Sequence, residues 1–246
     1  MIFDANILFG FDLEENVDLS IQRTLELMDS KKIAMGLISN LRCKFSDFIL
    51  GNDETASICN KYENKLMGLA SFNQSQYSDV RSEVKRALND LNLCGIRIYF
   101  TGSNFTSGWG GGLNSLVLYD TLDTIKGSGK IVFIEAGYPF IEIKAIAAAF
   151  PDLNFIASGA GYGNMGEAIV AAKKCNNLFL EISALDMMEG VVMMCSEIGS
   201  NKIIFGTGIP YNSPSSEILM VSTAQISQED KDNIYYNNLW SLIKKA

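Results

Sequence analysis

The chain has 246 residues, of which 48% are hydrophobic and 20% charged, with a net charge of −8 and no histidine. This composition is typical of a globular protein with an ample core, and its acidity argues against binding to nucleic acid or to an anionic membrane surface. Because histidine is absent, the commonest general base and zinc ligand are missing, and a Ser-His-Asp mechanism is excluded.

Eight short apolar segments predict strands, in chain order at 2–8, 32–38, 65–72, 94–100, 130–137, 153–158, 177–184 and 202–207. Amphipathic segments predict helices at 17–31, 52–62, 75–92, 114–127, 140–150, 164–175, 186–199 and 214–222, and a last helix at 227–246. Strands that are apolar on both faces and alternate with helices are typical of a parallel sheet. Eight such repeats without a linker predict a single (β/α)8 TIM barrel over residues 1–246 with an extra C-terminal helix, and a doubly wound open sheet is the alternative.

The cellular location is predicted from the apolar runs, the amino terminus and the cysteines. No apolar run is long enough to span a bilayer, and the first residues lack the basic region of a signal peptide. The cysteines are odd in number and show no Cys-x-x-Cys spacing; they are Cys43, Cys59, Cys94, Cys175 and Cys195. These features predict reduced thiols in a cytoplasmic protein.

Polar residues end most of the predicted strands, and in a (β/α)8 barrel these ends form the functional mouth. The predicted ring comprises Asn6, Ser39, Ser71, Arg97, Tyr99, Glu135, Ser158, Glu181, Ser183 and Thr207. Strict alternation along the first strand also places Asp4 and Asn6 on one face, directed toward the barrel interior.

Glu135 follows an apolar run and has two possible roles. It is either a structural partner of Arg97 on the preceding strand, or a general acid/base beside an Arg97 that orients an anionic substrate. Oxygen ligands for Mg²⁺ or Ca²⁺ are available on Asp4, Asn6, Glu135 and Glu181, although these residues come from three separate strands without the spacing of a binding loop.

Three glycine-rich segments have alternative interpretations. GYGNMG (161–166) matches a dinucleotide-binding fingerprint between a strand and a helix, but it falls in the sixth repeat, and a glycine-rich barrel loop is the favoured interpretation. GSGK (127–130) precedes a strand and has Ile131 where a P-loop needs Ser or Thr, so no P-loop is predicted. The long loop 101–114 surrounds Trp109 and is either a mobile lid or a simple insertion.

Segments along most of the chain resemble the amidohydrolase-2 branch of the amidohydrolase superfamily, whose members are metal-dependent hydrolases and decarboxylases with a TIM-barrel fold. MIFDANILFG is similar to the first strand of that family, which ends in Asp-x-His-x-His. CGIRIYF, IVFIEAG, FPDLNFIASGAGYG, NLFLEIS and KIIFGTGIPY resemble strands four to eight, and ISQEDKDNIYYNNLWSLI resembles the terminal helix. The resemblance implies a (β/α)8 barrel and, because barrels of this family often dimerise, a homodimer.

The resemblance does not extend to the family's metal ligands. The first-strand histidines are replaced by Asn6 and Leu8, the fifth-strand histidine by Glu135, the sixth-strand histidine by Ser158, and the eighth-strand aspartate by Gly208. Leu8 and Gly208 have no side chain that ligates a metal. We therefore expect no metal site and no cofactor.

Two functions are compatible with these substitutions. The favoured one is a non-hydrolytic pseudoenzyme that binds a small ligand or a partner protein at the barrel mouth. Its expected contact residues are Asn6, Tyr99, Trp109, Ser158, Glu181, Ser183 and Thr207. The alternative is a hydrolase, lyase or decarboxylase of altered chemistry, metal-free or magnesium-dependent, with Glu135 as acid/base and Arg97 as the group that orients an anion.

Overall fold

The computed structural model describes residues 1–12, 18–74, 80–100 and 112–245. Its eight parallel strands follow one another around one sheet in chain order. They are Phe3–Phe9 (β1), Met35–Asn40 (β2), Leu66–Ser71 (β3), Gly95–Ile98 (β4), Ile131–Ile134 (β5), Asn154–Ala157 (β6), Leu178–Glu181 (β7) and Ile203–Ile204 (β8). The last five are shorter than predicted, so Glu135, Ser158 and Ser183 lie in loops just beyond their strands.

The sheet closes where β1 meets the segment that follows β8. Ile7 pairs with Ile209 in a parallel bridge. The Ala5 amide donates to the Phe205 carbonyl at 3.0 Å and the Leu8 amide to the Ile209 carbonyl at 2.9 Å. The predicted (β/α)8 barrel is therefore confirmed. The doubly wound alternative is wrong, because strands in consecutive order around a closed sheet have no point at which the order reverses.

Helices alternate with the strands and cover the outside of the barrel. They are Ile21–Ser30 (α1), Arg42–Phe45 (α2), Phe48–Lys61 (α3), Val80–Asn89 (α4), Leu116–Thr124 (α5), Phe140–Ala149 (α6), Met165–Lys174 (α7), Gly190–Ile198 (α8), Ser215–Thr223 (α9), Gln228–Asp232 (α10) and Asn238–Lys245 (α11). A short 3₁₀ helix spans Ser200–Lys202, and a π-helical turn spans Asn233–Asn237. The closing segment, predicted as one helix, thus has three parts.

One apolar cluster fills the barrel axis below the mouth. It combines residues of six strands with three of α11: Phe3, Leu37, Leu69, Phe133, Ile156, Ile204, Leu239, Leu242 and Ile243. Because α11 contacts this interior cluster, the C-terminal helix covers the amino-terminal end of the barrel. Access to the interior is left at the opposite end, where the strands of a (β/α)8 barrel present functional groups.

Strict alternation fails in β1. Asp4 pairs with Gly36 and Ile7 with Ile38, so three steps along β1 match two steps along β2, and the register shifts between Asp4 and Ile7. An extra residue of this kind changes the face on which the following side chains lie. The expectation that Asp4 and Asn6 share one face is therefore wrong: Asp4 is directed toward the segment after β8, whereas Asn6 is directed toward the mouth.

No helix among the described residues is long and apolar enough to cross a membrane. All five cysteines are free thiols.

Candidate functional site

A cavity of about 690 Å³ opens at the mouth of the barrel. Five members of the predicted polar ring line it: Asn6, Arg97, Glu135, Ser158 and Ser183. They come from β1 and from β4 to β7 or the loops directly after them, so the parallel sheet brings together side chains up to 177 positions apart in sequence. The ring predicted from strand ends is thus partly assembled around one cavity.

Arg97 is the central cation of this site. Its Nη1 donates to Asn6 Oδ1 at 2.9 Å, and its Nη2 lies 3.7 Å from Glu135 Oε1. The guanidinium carbon lies 4.5 Å from the ring centroid of Phe133 and 5.2 Å from that of Tyr99, so aromatic faces share in compensating the charge. Arg97 is only 1% exposed, and its Nε has no hydrogen-bond partner.

Glu135 is held by groups on both sides. Its Oε2 accepts from the Phe100 amide at 2.6 Å and from Lys44 Nζ at 3.2 Å, while Oε1 faces Arg97. Lys44 belongs to α2, a four-residue helix directly after β2, and the sequence analysis did not identify it. Its position in the loop after a barrel strand was the available signal, because these loops build the mouth.

A second buried carboxylate, Glu181, ends β7. Its Oε1 accepts from the Ser183 amide at 2.6 Å, and its Oε2 from Ser183 Oγ at 2.9 Å and Asn6 Nδ2 at 3.2 Å. Burial raises the pKa of Glu181 above its ordinary value. Gly206 is required beside it, because a Cβ there would lie 2.1 Å from Glu181 Oε1.

Hydroxyl and amide groups connect this carboxylate to the cavity. Asn6 Nδ2 donates to Ser183 Oγ at 2.9 Å, and Ser158 Oγ lies 3.4 Å from Ser183 Oγ. Glu181 itself does not line the cavity. Its effect on a ligand therefore passes through Asn6 and Ser183, which do.

Asp4 lies beneath the mouth and joins β1 to the segment after β8. Its Oδ1 accepts from the Asn6 amide at 2.9 Å and the Thr207 amide at 3.0 Å, and its Oδ2 accepts from the Thr207 hydroxyl. Burial raises the pKa of Asp4 from 3.8 to about 7. Asp4 and Thr207 are thus paired with each other and do not line the cavity.

The remaining predicted residues lie in different places. Leu8 and Gly208 form part of the cavity wall. Tyr99 is buried outside that wall, and its hydroxyl has no hydrogen-bond partner. Trp109 and most of the predicted lid lie outside the described residues. The contacts of Tyr99, Trp109, Glu181 and Thr207 with a ligand stay predictions.

The far side of the cavity carries residues that the sequence analysis missed. Asp186 follows β7, and Tyr211 and Glu217 follow β8. Burial raises the pKa of Glu217 above its ordinary value. Their positions obey no periodic pattern, so only the closed barrel identifies them as neighbours of Asn6 and Arg97.

The donors at the family's metal positions do not fit a divalent metal. Leu8 and Gly208 supply no ligand atom, and Asn6 Oδ1 already accepts from a guanidinium. That guanidinium also lies beside Glu135, where it would repel a second cation. Within the described ranges, no group of three His, Cys, Asp or Glu side chains is arranged to hold a metal ion.

The GYGNMG segment forms a hydrogen-bonded loop at the start of α7. The Gly161 amide donates to Asn164 Oδ1 at 2.9 Å, and Asn164 Nδ2 donates to the Gly159 carbonyl at 2.9 Å. The Tyr162 amide donates to Asp186 Oδ1 at 2.7 Å. Amides that a pyrophosphate would use are therefore engaged within the protein, which favours the barrel-loop interpretation.

Solved structures with the same fold cover nearly the whole chain. A 2,6-dihydroxybenzoate decarboxylase from Rhizobium has a TM-score of 0.76 at 14% identity, with 99% of this chain and 98% of that chain covered. A dihydroxybenzoic acid decarboxylase from Polaromonas sp. JS666, with bound manganese and 2-nitroresorcinol, has a TM-score of 0.76 at 15% identity, with 99% and 96% covered. A manganese-bound 5-carboxyvanillate decarboxylase from Novosphingobium aromaticivorans has a TM-score of 0.78 at 13% identity, with 99% and 97% covered. At these identities the likeness is one of fold.

The sequence itself matches a family model. No functionally curated protein that was compared with this chain is significantly similar to it. The amidohydrolase model Amidohydro_2, in contrast, matches residues 51–238, which is well over half of the chain. That span runs from α3 through β8 to the start of α11 and includes the glutamate and the serine that stand at two of the expected metal positions. The protein therefore belongs to the amidohydrolase family, in its amidohydrolase-2 branch.

Proposed function

We propose that this protein is a non-hydrolytic member of the amidohydrolase family that binds a small ligand in the cavity at the barrel mouth. One observation carries the proposal: the guanidinium of Arg97, bonded to Asn6 Oδ1 at 2.9 Å, stands beside the positions from which the family's metal would be held. A fixed cation there supplies positive charge without a metal-bound water, so the family's usual nucleophile is missing.

The polar lining supports retained binding. A barrel whose mouth had no ligand would gain stability by filling it with apolar side chains, because buried polar groups cost free energy unless they are paired. This mouth instead keeps Asn6, Arg97 and Glu135 around a cavity of about 690 Å³. That volume lies within the range typical of small-molecule sites.

Metal analysis tests the proposal directly. We expect protein purified without chelator to contain far less than one zinc, nickel or manganese ion per chain, and its melting temperature to be unchanged by EDTA or by added Zn²⁺ or Mn²⁺. A tightly bound metal would raise the melting temperature by mass action. Stoichiometric metal, or stabilisation by one of these ions, would overturn the proposal.

A metal-free lyase or decarboxylase is the second candidate, because Glu135 and Arg97 both line the cavity 3.7 Å apart. The test is CO₂ release from 2,6-dihydroxybenzoate and 5-carboxyvanillate, the compounds in the names of structurally similar proteins. Turnover that Glu135→Gln abolishes would establish this candidate, with Glu135 as acid/base. The absence of turnover together with ligand binding that Glu135→Gln leaves intact would support the non-hydrolytic function and a structural Glu135.

The free cysteines support a cytoplasmic location as part of the same proposal, because reduced thiols persist in a reducing compartment.

A further inference from the structure

We propose that the ligand of the mouth is a zwitterion, with a carboxylate that pairs with Arg97 and an ammonium group that pairs with Asp186 and Glu217. The inference rests on the proposed ligand-binding function and specifies the charge and polarity of the ligand. It is argued from a guanidinium with an unpaired donor and from two carboxylates whose known partners are neutral, on opposite sides of one cavity.

Arg97 provides the carboxylate end. A guanidinium has five N–H donors. Here one donates to Asn6 Oδ1 at 2.9 Å, the contact with Glu135 is 3.7 Å long, and Nε has no partner. An unpaired donor on a side chain that is 1% exposed is costly, so an acceptor on a ligand would stabilise Arg97. A carboxylate supplies two acceptors in the geometry that a guanidinium prefers.

The charge at this end also favours an anion. Lys44 Nζ lies 3.2 Å from Glu135 Oε2, so the carboxylate that lines the cavity beside Arg97 is already paired with an ammonium group. The second carboxylate near Arg97, Glu181, accepts from Ser183 and Asn6 and does not line the cavity. The positive charge of Arg97 on the cavity wall therefore attracts an anionic group in a partly desolvated site.

Asp186 and Glu217 provide the ammonium end. Both line the same cavity. Their known partners are neutral: Asp186 Oδ1 accepts from the Tyr162 amide at 2.7 Å, and Glu217 Oε2 accepts from Ser216 Oγ at 2.8 Å. Burial raises the pKa of Glu217, as expected for a carboxylate without a cation beside it. An ammonium group would supply that cation.

The two ends lie across the mouth from each other. Arg97 is on β4, and Glu217 is on α9, which follows β8; four positions around an eight-stranded barrel bring two strands to opposite sides. The same wall also includes apolar side chains of Leu8, Ala136 and Leu185. The ligand therefore combines opposite charges with an apolar part.

Ligands with a single charge complement the cavity less well. An anion alone supplies no cation to Asp186 and Glu217 and is repelled by them, and a cation alone supplies no acceptor to Arg97. A site with positive charge at one end and negative charge at the other selects a ligand that carries the opposite charge at each end. A ligand that lacks one of these charges binds with a less favourable free energy.

Calorimetric titration of the full chain tests this inference. The probes are ω-amino acids from 3-aminopropanoate to 8-aminooctanoate and 4-(aminomethyl)benzoate, each compared with a carboxylate that lacks the amine and an amine that lacks the carboxylate. For the aromatic probe these controls are 4-methylbenzoate and 4-methylbenzylamine. We expect one or more zwitterions to bind at least about tenfold more tightly than both controls, equivalent to about 1.4 kcal/mol.

Two variants test which residues bind the ammonium group and which bind the carboxylate of the ligand. Glu217→Gln should lower the affinity for the zwitterion toward that of its matched carboxylate, without weakening the binding of that carboxylate. Arg97→Lys retains the charge but removes the planar donors, so it should weaken zwitterion and carboxylate alike. Glu229→Gln, an exposed change on α10, is the matched control and should leave all affinities unchanged.

The outcomes separate this inference from the proposed function. It is overturned if no probe binds at millimolar concentration, if no zwitterion binds more tightly than its controls, or if Glu217→Gln has no effect. If a metal-free, inactive protein binds a singly charged probe at least as tightly as the matching zwitterion, the inference is contradicted but the proposed function stays intact. Stoichiometric metal together with a preference for zwitterions would overturn the proposed function but support the inference about the ligand.

Discussion

Arg97 is the largest fully buried residue in the described part of the chain. A charge removed from water to this degree needs partners, since desolvation of an ion costs several kcal/mol. The partners here are Asn6 Oδ1, the Glu135 carboxylate and two aromatic rings. Under the proposed function the same arrangement would also disfavour a divalent cation, so protein stability and ligand choice would depend on one side chain.

Replacing this arginine should destabilise the protein. Arg97→Met should lower the free energy of unfolding by about 3 kcal/mol, because removal of one partner leaves buried polar groups uncompensated; Lys44 still pairs with Glu135, which places the loss at the lower end of the usual range. Urea unfolding followed by circular dichroism measures this. Arg23→Met is the control: its pair with Glu26 is half exposed at 3.7 Å, and we expect a change below about 0.5 kcal/mol. Equal losses in the two variants would contradict this role of Arg97.

The part of the site that could be predicted from sequence is the part carried by strands. Asn6, Arg97 and Glu135 follow apolar runs, and a parallel barrel collects such strand ends at one mouth. Lys44, Asp186 and Glu217 lie in loops or at the starts of helices, where no periodicity relates a residue to its direction. The positions of Asp186 and Glu217 in the cavity wall, and of Lys44 beside Glu135, depend on closure of the whole sheet, which local sequence does not encode.

At the level of elements, the closing segment shows why helix prediction was incomplete. Its start was predicted correctly: Ser227 caps α10 in a capping box with Asp230. The helix then widens into a π-helical turn at Asn233–Asn237. The Ile234 carbonyl accepts from the Phe205 amide at 3.1 Å, and the Asn238 side chain donates to the carbonyls of Ser200 and Ile203, each at 2.8 Å. These partners are distant in sequence, so helical periodicity gives no sign of them.

Packing of α11 against the barrel interior makes it an integral element. Leu239→Ala should lower the free energy of unfolding by about 3 kcal/mol, because Leu239 is fully buried in the axial cluster and its loss leaves a cavity there. Lys244→Ala on the exposed side of the same helix should cost less than about 1 kcal/mol. Thermal or urea unfolding compares the two. If both changes cost the same, the C-terminal helix does not stabilise the barrel through its interior contacts.

At the scale of the whole molecule, the eight strand–helix repeats predicted the barrel architecture. They did not predict the register shift in β1. Repetition of apolar strands and amphipathic helices is visible in sequence because burial on both faces requires it. The irregularity between Asp4 and Ile7 is set by how β1 fits between β2 and the segment after β8. This contact between the first strand and the end of the barrel forms only when the barrel closes, so local sequence patterns do not predict it.

The pH dependence of stability tests the contact between Asp4 on β1 and Thr207 after β8, which helps to close the barrel. The pKa of Asp4 is raised from 3.8 to about 7, so the folded protein retains a proton that the unfolded chain loses near pH 4. Stability contributed by this proton is fully present below about pH 4, falls by about 1.4 kcal/mol per pH unit as the pH rises toward 7, and then levels off.

Asp4→Asn should remove this contribution while retaining an acceptor for the amides of Asn6 and Thr207. The difference in unfolding free energy between the two proteins, measured in urea from pH 4 to pH 8, should therefore shift in favour of the variant up to about pH 7 and then level off. The charge of Glu181 is one cause of the raised pKa of Asp4, so the difference includes this interaction. A difference that is independent of pH would show that Asp4 is ionised throughout the range.

The segment after β8 both closes the barrel and lines the cavity. The Gly208 amide donates to the Asn6 carbonyl at 2.9 Å, and the Asn6 side chain holds Arg97. Substitutions in this segment should alter folding and binding together. A mutational scan that measures only the loss of binding would therefore misidentify residues needed for folding as residues that contact the ligand. Asp186 reaches the cavity from the loop after β7 and Glu217 from α9, and neither belongs to the segment that closes the barrel. New ligand preferences can therefore evolve at these two positions without loss of the fold.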